Sequence, residues 1–318
     1  MNLTEVLAAH GLSGKKIALP KDLVEVDTIV WETSNSVSYD FINLDSSDDV
    51  YLAKKTDAEV KKIRSHGVVA WTVPLDFSVY AVCIGQDGYY YAVGTKKAAK
   101  INMTTGAVTT ITFSGFNLVS VYHVTVDASG NIYMSCQDDT YTNVRAYKIL
   151  PAGTRAWLYD SGVTTANGTS GICVISSYLY VNLGGNMYKF LLTGGLVWSG
   201  NGFDLYGVIP DLSDSNRAYA LNGRKFTHYG LSGASGPAIV KEASVNLGTI
   251  DFSSVNLRVI GDFGYVTTTE YWFKIRLSDF KVVGIRGDNK IRAIASDSSF
   301  IILDAGVVRR MKYRYKIK

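Results

Sequence analysis

The chain has 318 residues, 47% of them apolar and 19% charged, with a formal net charge of +4. That is enough apolar material for a large core, which excludes general disorder, and a small dispersed positive balance gives no polyanion footprint for nucleic acid. No apolar run reaches the roughly 18 residues of a membrane-spanning helix, and the amino end lacks the basic start and long apolar run of a secretory leader; the sequence reads as one made in a cytoplasm without a signal peptide.

Residues 1–24 match nothing else in the chain. Thr4 to His10 reads as a short helix capped by Thr4 and ended by Gly11, too short to be stable alone. This appendage is either a strap packed over the rest or a docking segment ordered by a partner, with Leu3, Val6 and Leu7 as candidate partner-binding residues. Residues 25–318 form the second region, and there a repeat takes over.

The repeat is clearest in the stretch from Gly130 to Trp157. A Gly-Asn turn leads into Ile132-Tyr133-Met134-Ser135, a polar loop into Val144-Arg145-Ala146-Tyr147-Lys148-Ile149, and a Pro-Ala-Gly turn into a strand with Trp157. The Tyr133 strand has counterparts at Tyr51, Tyr91, Tyr180, Tyr219, Tyr265 and Ile301, seven copies roughly 36 to 47 residues apart. The Lys148 strand recurs as Lys61-Lys62-Ile63, Ala99-Lys100-Ile101, Tyr188-Lys189-Phe190, Phe273-Lys274-Ile275 and, less clearly, Arg310-Met311-Lys312. Gly67, Gly153 and Gly194 each stand four residues before a Trp. A period near 40 with about four strand-length segments per copy is that of a β-propeller, whose blades bury their faces against their neighbours. The 21 tyrosines and 30 glycines against 5 prolines suit many short strands with tight turns.

Thr28-Ile29-Val30-Trp31 resembles the fourth strand of a blade without its first three. At the other end, residues 290–295, 300–303 and 307–317 supply three strands without a fourth. Pairing the two predicts a seven-bladed, all-β propeller closed by its amino-terminal strand, which removes the open edges of an array. The copies resemble quinoprotein-type and NHL-like propeller repeats, in which an apolar-Tyr-apolar strand leads to a Thr-Gly or similar turn and then a Trp. The resemblance covers about residues 27–318 and implies the fold; only Thr105-Gly106 supplies the Thr-Gly turn outright.

The innermost strands align on Phe41, Val82, Val124, Ile172, Val208, Val259 and Ile294. Two residues earlier stand Tyr39, Tyr80, Tyr122, Ser170, Tyr206, Leu257 and Arg292. Tyr39, Tyr80, Tyr122, Tyr206 and Arg292 are therefore the candidate ligand-binding residues of a channel mouth. A tyrosine joins a flat apolar face to a hydroxyl, which suits stacking on a saccharide or gripping another chain, and equally suits wedging blades together.

Catalytic and metal sites find little support. A metal-dependent lactonase of the six-bladed kind needs converging carboxylates, whereas the inner strands offer Asp40 and Asp204 without a repeated register. His10, His66, His123 and His228 are scattered, and Ser120, His123 and Asp127 lie on one strand that cannot fold its own side chains into a triad. Cys83, Cys136 and Cys173 read as reduced, buried residues. No catalytic residue, metal or cofactor is expected. Arg309, Arg310, Lys312, Arg314, Lys316 and Lys318 form a basic face on the last strand, read as edge protection or as contact with an acidic partner surface or nucleic acid.

The expected function is a non-enzymatic structural or interaction module. Its Tyr-, Ser-, Thr- and Gly-rich composition resembles that of a bacteriophage virion component, such as a tail, fibre or head-decoration protein, with other virion or scaffold proteins or a cell-surface glycan as partners. A hydrolase or lyase acting on a saccharide or lactone at the channel mouth is the alternative.

Overall fold

The computed structural model describes residues 23–34, 39–56, 58–139, 143–164, 171–201, 205–211, 213–214, 216–222, 225–232, 236–244, 256–268, 271–287, 291–297, 299–304 and 307–317. Strand β1 (Leu23–Ser34) comes first. Blade one is β2 (Phe41–Leu44), β3 (Val50–Ala53), β4 (Glu59–Ile63) and β5 (Val69–Pro74); blade two is β6 (Ala81–Ile84), β7 (Tyr89–Val93), β8 (Lys97–Asn102) and β9 (Val108–Thr112). Blade three is β10 (Leu118–Val126), β11 (Ile132–Asp138), β12 (Arg145–Ile149) and β13 (Arg155–Asp160); blade four is β14 (Ile172–Ile175), β15 (Tyr178–Leu183), β16 (Asn186–Leu191) and β17 (Leu196–Asn201). Blade five is β18 (Leu205–Pro210), β19 (Arg217–Asn222), β20 (Lys225–Gly230) and β21 (Ala238–Ser244); blade six is β22 (Asn256–Ile260), β23 (Phe263–Thr267), β24 (Tyr271–Arg276) and β25 (Lys281–Gly287). Blade seven is β26 (Ile291–Ile294), β27 (Phe300–Asp304) and β28 (Val307–Ile317), completed by β1 in the order β1-β28-β27-β26.

The seven four-stranded sheets make a seven-bladed β-propeller. Two compact units divide it, Tyr39–Glu242 with blades one to five, and Met1–Ser38 with Ala243–Lys318, holding blades six and seven. Within each unit the apolar clusters lie between blades. Tyr51 and Val60 of blade one pack with Tyr90, Ala99 and Ile101 of blade two, Tyr133 and Ala146 of blade three with Leu179, Val181 and Phe190 of blade four, and Tyr265 of blade six with Ile291 and Phe300 of blade seven. A second strand is therefore covered on both faces. Val50, Tyr51, Leu52 and Ala53 are all fully buried, and a buried Leu or Val contributes about 1.5–3 kcal/mol.

The closure follows the expected partners. Thr28 stands opposite Lys312, Ile29 opposite Met311 and Trp31 opposite Arg310, with a bulge between Ile29 and Trp31. The strand is longer than expected, since β1 begins at Leu23. The pairing corrects one reading of the basic strand in part: β1 covers one side of β28 along Leu23 to Ser34, and β27 flanks the other from Val307 to Met311, so Arg309 and Arg310 lie on no edge. Arg309 pairs with Glu32, while Arg310 and Lys312 both reach Asp297, so three cations share two carboxylates within the blade. The expected helix from Thr4 to His10, and Leu3, Val6 and Leu7 with it, lie outside the described residues.

Turns form where glycine provides them. Gly153 adopts φ +86°, and a Cβ there would stand 2.0 Å from the Thr112 carbonyl oxygen. Gly194 adopts φ +108° and lies against the Trp157 ring. Both are places where one blade's turn meets the preceding blade, and only a residue without a side chain fits.

Candidate functional site

The repeat places a tyrosine and a cation opposite each other on the second and third strands. Tyr51 faces Lys62, Tyr91 faces Lys100, Tyr133 faces Lys148, Tyr180 faces Lys189, Tyr265 faces Lys274, and in blade seven Ile301 faces Arg310. Blade five substitutes a histidine, with Tyr219 facing His228. An aspartate in the turn after the inner strand joins most of these pairs. The Tyr51 hydroxyl donates to Asp45 at 3.1 Å, Tyr91 to Asp87 at 2.6 Å and Tyr133 to Asp127 at 2.9 Å.

The lysines then hold the next blade. Lys62 Nζ and Trp71 Nε1 both donate to the Met103 carbonyl, at 2.9 and 3.3 Å. Lys148 Nζ and Trp157 Nε1 both donate to the Leu192 carbonyl, at 2.8 and 3.2 Å. Lys189 Nζ donates to the Leu231 carbonyl at 2.9 Å. A buried ammonium is costly unless bonded; the carbonyl and the ring beneath it share that task, joined at Lys62 by the Asp49 carboxylate at 2.8 Å. These groups build the fold and are committed to it.

The tyrosines proposed for the mouth are spread between packing and polar contact. Tyr39 and Tyr80 precede β2 and β6 rather than lying on them, while Tyr122 and Tyr206 lie on β10 and β18 and Arg292 on β26. Tyr39 is buried, its hydroxyl donating to Glu59 Oε1 at 2.7 Å, and burial together with that carboxylate raises its phenol well above the ordinary range. Tyr122 donates to Gln137 Oε1 at 2.6 Å, and Lys55 Nζ lies 5.1 Å from the centre of the Tyr80 ring. Tyr39 and Tyr80 thus stand just before their strands and Tyr122 in the middle of its own, while Gln86 follows the end of β6. Its side chain reaches past blade three to the Val174 carbonyl of blade four at 2.9 Å, while its backbone amide bonds Val126. Arg292 belongs to the other unit, where its guanidinium donates to the Ile291 carbonyl. Ser170 and Asp204 lie outside the described residues.

The remaining chemistry is also committed. Asp127 accepts from the amides of Ser129 and Asn131, the Asn131 side chain and Tyr133. It therefore has no oxygen left to orient His123, which stands on β10 opposite Ser135. None of the three cysteines is in a disulfide, and burial pushes the Cys83 and Cys173 thiols up, the latter to about 12, so neither is a ready thiolate. Among the described residues no group of three His, Cys, Asp or Glu is placed to hold a metal ion.

One buried polar cluster escaped the sequence reading. His228 Nε2 lies 3.0 Å from Asp211 Oδ2, and its ring stacks on Tyr219 at 4.4 Å between centroids. Ser213 donates to Asp211 Oδ1 from both its amide and its hydroxyl, at 2.9 and 2.6 Å. The segment Lys225-Phe226-Thr227-His228-Tyr229 lacks the lysine that identified its counterparts, although spacing from Tyr219 would have located it.

The outer strands show a different regularity. Each of the seven carries at least one exposed large apolar residue: Ile29 on β1, Val69 on β5, Val108 on β9, Leu158 on β13, Leu196 on β17, Ile239 on β21 and Val283 on β25. On β21 five consecutive residues, Ala238 to Glu242, are exposed.

No family model matches the sequence, and no curated protein matches it. Solved structures do share the fold. A streptogramin B lyase is 12% identical over 92% of this chain and 98% of its own, with a TM-score of 0.65. Virginiamycin B lyase from Staphylococcus aureus is 12% identical over 91% and 99%, with a TM-score of 0.62. BamB from Moraxella catarrhalis is 10% identical over 90% and 100%, with a TM-score of 0.57. At such identities the likeness is one of architecture: this chain has the propeller fold of these proteins.

Proposed function

We propose that this protein is a non-enzymatic interaction module, a propeller held in a larger assembly through the rims of its blades and its amino-terminal segment. The observation that carries this reading is the exposed apolar residue on every outer strand. An outer strand has an unpaired backbone edge, and natural proteins usually blunt such edges with charge; here β9, with the sequence Val-Thr-Thr-Ile-Thr, and β17, with Leu-Val-Trp-Ser-Gly-Asn, have none. Strand addition to such an edge is a common mode of protein contact. The commitment of Asp127, Asp211 and the blade lysines to the fold supports the non-enzymatic part. A phage virion is the assembly that the composition favours, and capsid, portal or tail genes beside this one would support it.

The test is sedimentation of extracts from the native source. The wild type should travel with a large particle, and replacing Val108 and Ile111 of β9 should be avoided in favour of the exposed pair Ile239→Lys and Val240→Asp on β21, which should release the protein with its unfolding temperature unchanged. A chain that sediments alone overturns the reading. The names of two structural neighbours favour a lyase as the second reading, and linearisation of a streptogramin B by the purified protein would decide for it.

A further inference from the structure

We propose that blade five carries a proton-sensitive latch, in which protonation of His228 against Asp211 and Tyr219 loosens β20 and the exposed β21 beside it. The position argues for this. Five blades place a lysine and one an arginine opposite the second strand, groups that keep their charge across the physiological range. Blade five alone has a side chain that changes charge there.

The surroundings favour the neutral ring. His228 and Asp211 are both buried, and the flat face of Tyr219 covers the imidazole at 4.4 Å. Asp211 from the turn between β18 and β19, Arg217 on β19 and Lys241 on β21 act on the His228 charge, and Tyr219 on β19 lies against its ring. Burial lowers the imidazole below its ordinary 6.5; Asp211 opposes this, and Arg217 and Lys241 add to it. For Asp211, burial would raise the carboxyl, but the bonds from Ser213 and His228 prevail and leave it lowered. The folded chain thus holds the imidazole proton less tightly than the unfolded one. The stabilisation is complete above about pH 6.5 and is lost as the pH falls through the lower folded value.

What loosens is defined by the sheet. β20 lies between β19 and β21, and residue Leu231, just past its end, takes the Lys189 bond that ties blade four to blade five. Ile239 and Val240 on β21 are already 55% and 44% exposed. Acid therefore acts on a blade whose outer strand is largely exposed.

Amide hydrogen exchange, corrected for intrinsic rates, tests the latch between about pH 7.5 and about pH 5. In the wild type, protection factors on β20 and in the Asp211 turn should fall by about threefold to tenfold, while blades one to three keep theirs. His228→Gln, neutral throughout, and His228→Lys, charged throughout, should both abolish the fall. An equal fall in these variants, or one shared by all blades, overturns the proposal. Should both variants fail to fold, the wild-type imidazole decides: an NMR titration midpoint below 6.5 supports the latch, and one at or above it overturns it.

Discussion

Blades three and five use the same register for different polar groups. In blade three, Asp127 binds Tyr133, and Lys148 passes beyond that ring to share the Leu192 carbonyl with Trp157. In blade five, His228 is too short to pass the tyrosine; it stacks on Tyr219 and ends at Asp211. Blade three thus spends its cation on a neighbour, whereas blade five keeps its histidine within the sheet. The backbone ladder tolerates both, because side chains at this position need only a ring to lie on and an acceptor within reach. The difference teaches that a propeller repeat conserves geometry while leaving the identity of the polar link open.

The most forceful way to break the comparison is Trp157→Ala. It removes a ring packed against Phe190 and Tyr133 and should cost about 3–5 kcal/mol, read from denaturant unfolding. A loss below about 1 kcal/mol would mean that the tryptophan is not part of the seam. Lys148→Met keeps the stem over Tyr133 and removes the bond to Leu192 together with the ammonium above the ring, for which about 1–2 kcal/mol is expected. Tyr133→Phe should cost about 0.5–1.5 kcal/mol, because Asp127 retains its three other donors.

The smallest change sharpens the comparison instead. His228→Lys converts blade five toward blade two, where Lys100 meets Asp87 at 2.8 Å, and, by placing a permanent charge where the wild type holds a buried neutral ring, should lower neutral-pH stability by about 1 kcal/mol. Its effect belongs to the acid side: the wild type should lose stability as the pH falls below about 6.5, and the variant should lose less over the same interval. Parallel unfolding curves for the two proteins at acid pH would remove the distinction between the blades.

Much of this architecture was legible residue by residue. Tyr51, Tyr91, Tyr133, Tyr180, Tyr219, Tyr265 and Ile301 all lie on second strands, since an apolar-Tyr-apolar run between turns is a local pattern that needs no partner to be recognised. The spare strand around Trp31 and the missing fourth strand after Val307 were equally visible, because counting strands is arithmetic on a repeat. The mouth was harder. Tyr39 and Tyr80 fall before their strands, because the ladder starts at Phe41 and Ala81 and the alignment had no means of placing a strand's first residue.

What the sequence determined by itself is the period, the strand chemistry and the closure, all of which arise from short-range alternation and turn residues repeated seven times. What only the tertiary structure decided is where each charged group ends. Asp127 reaches Tyr133, Lys148 reaches Leu192 of the next blade, and His228 meets Asp211 seventeen residues earlier. Such contacts depend on cross-strand register and on the approach of one sheet to another, and a long side chain can satisfy its charge against several partners until packing leaves it one.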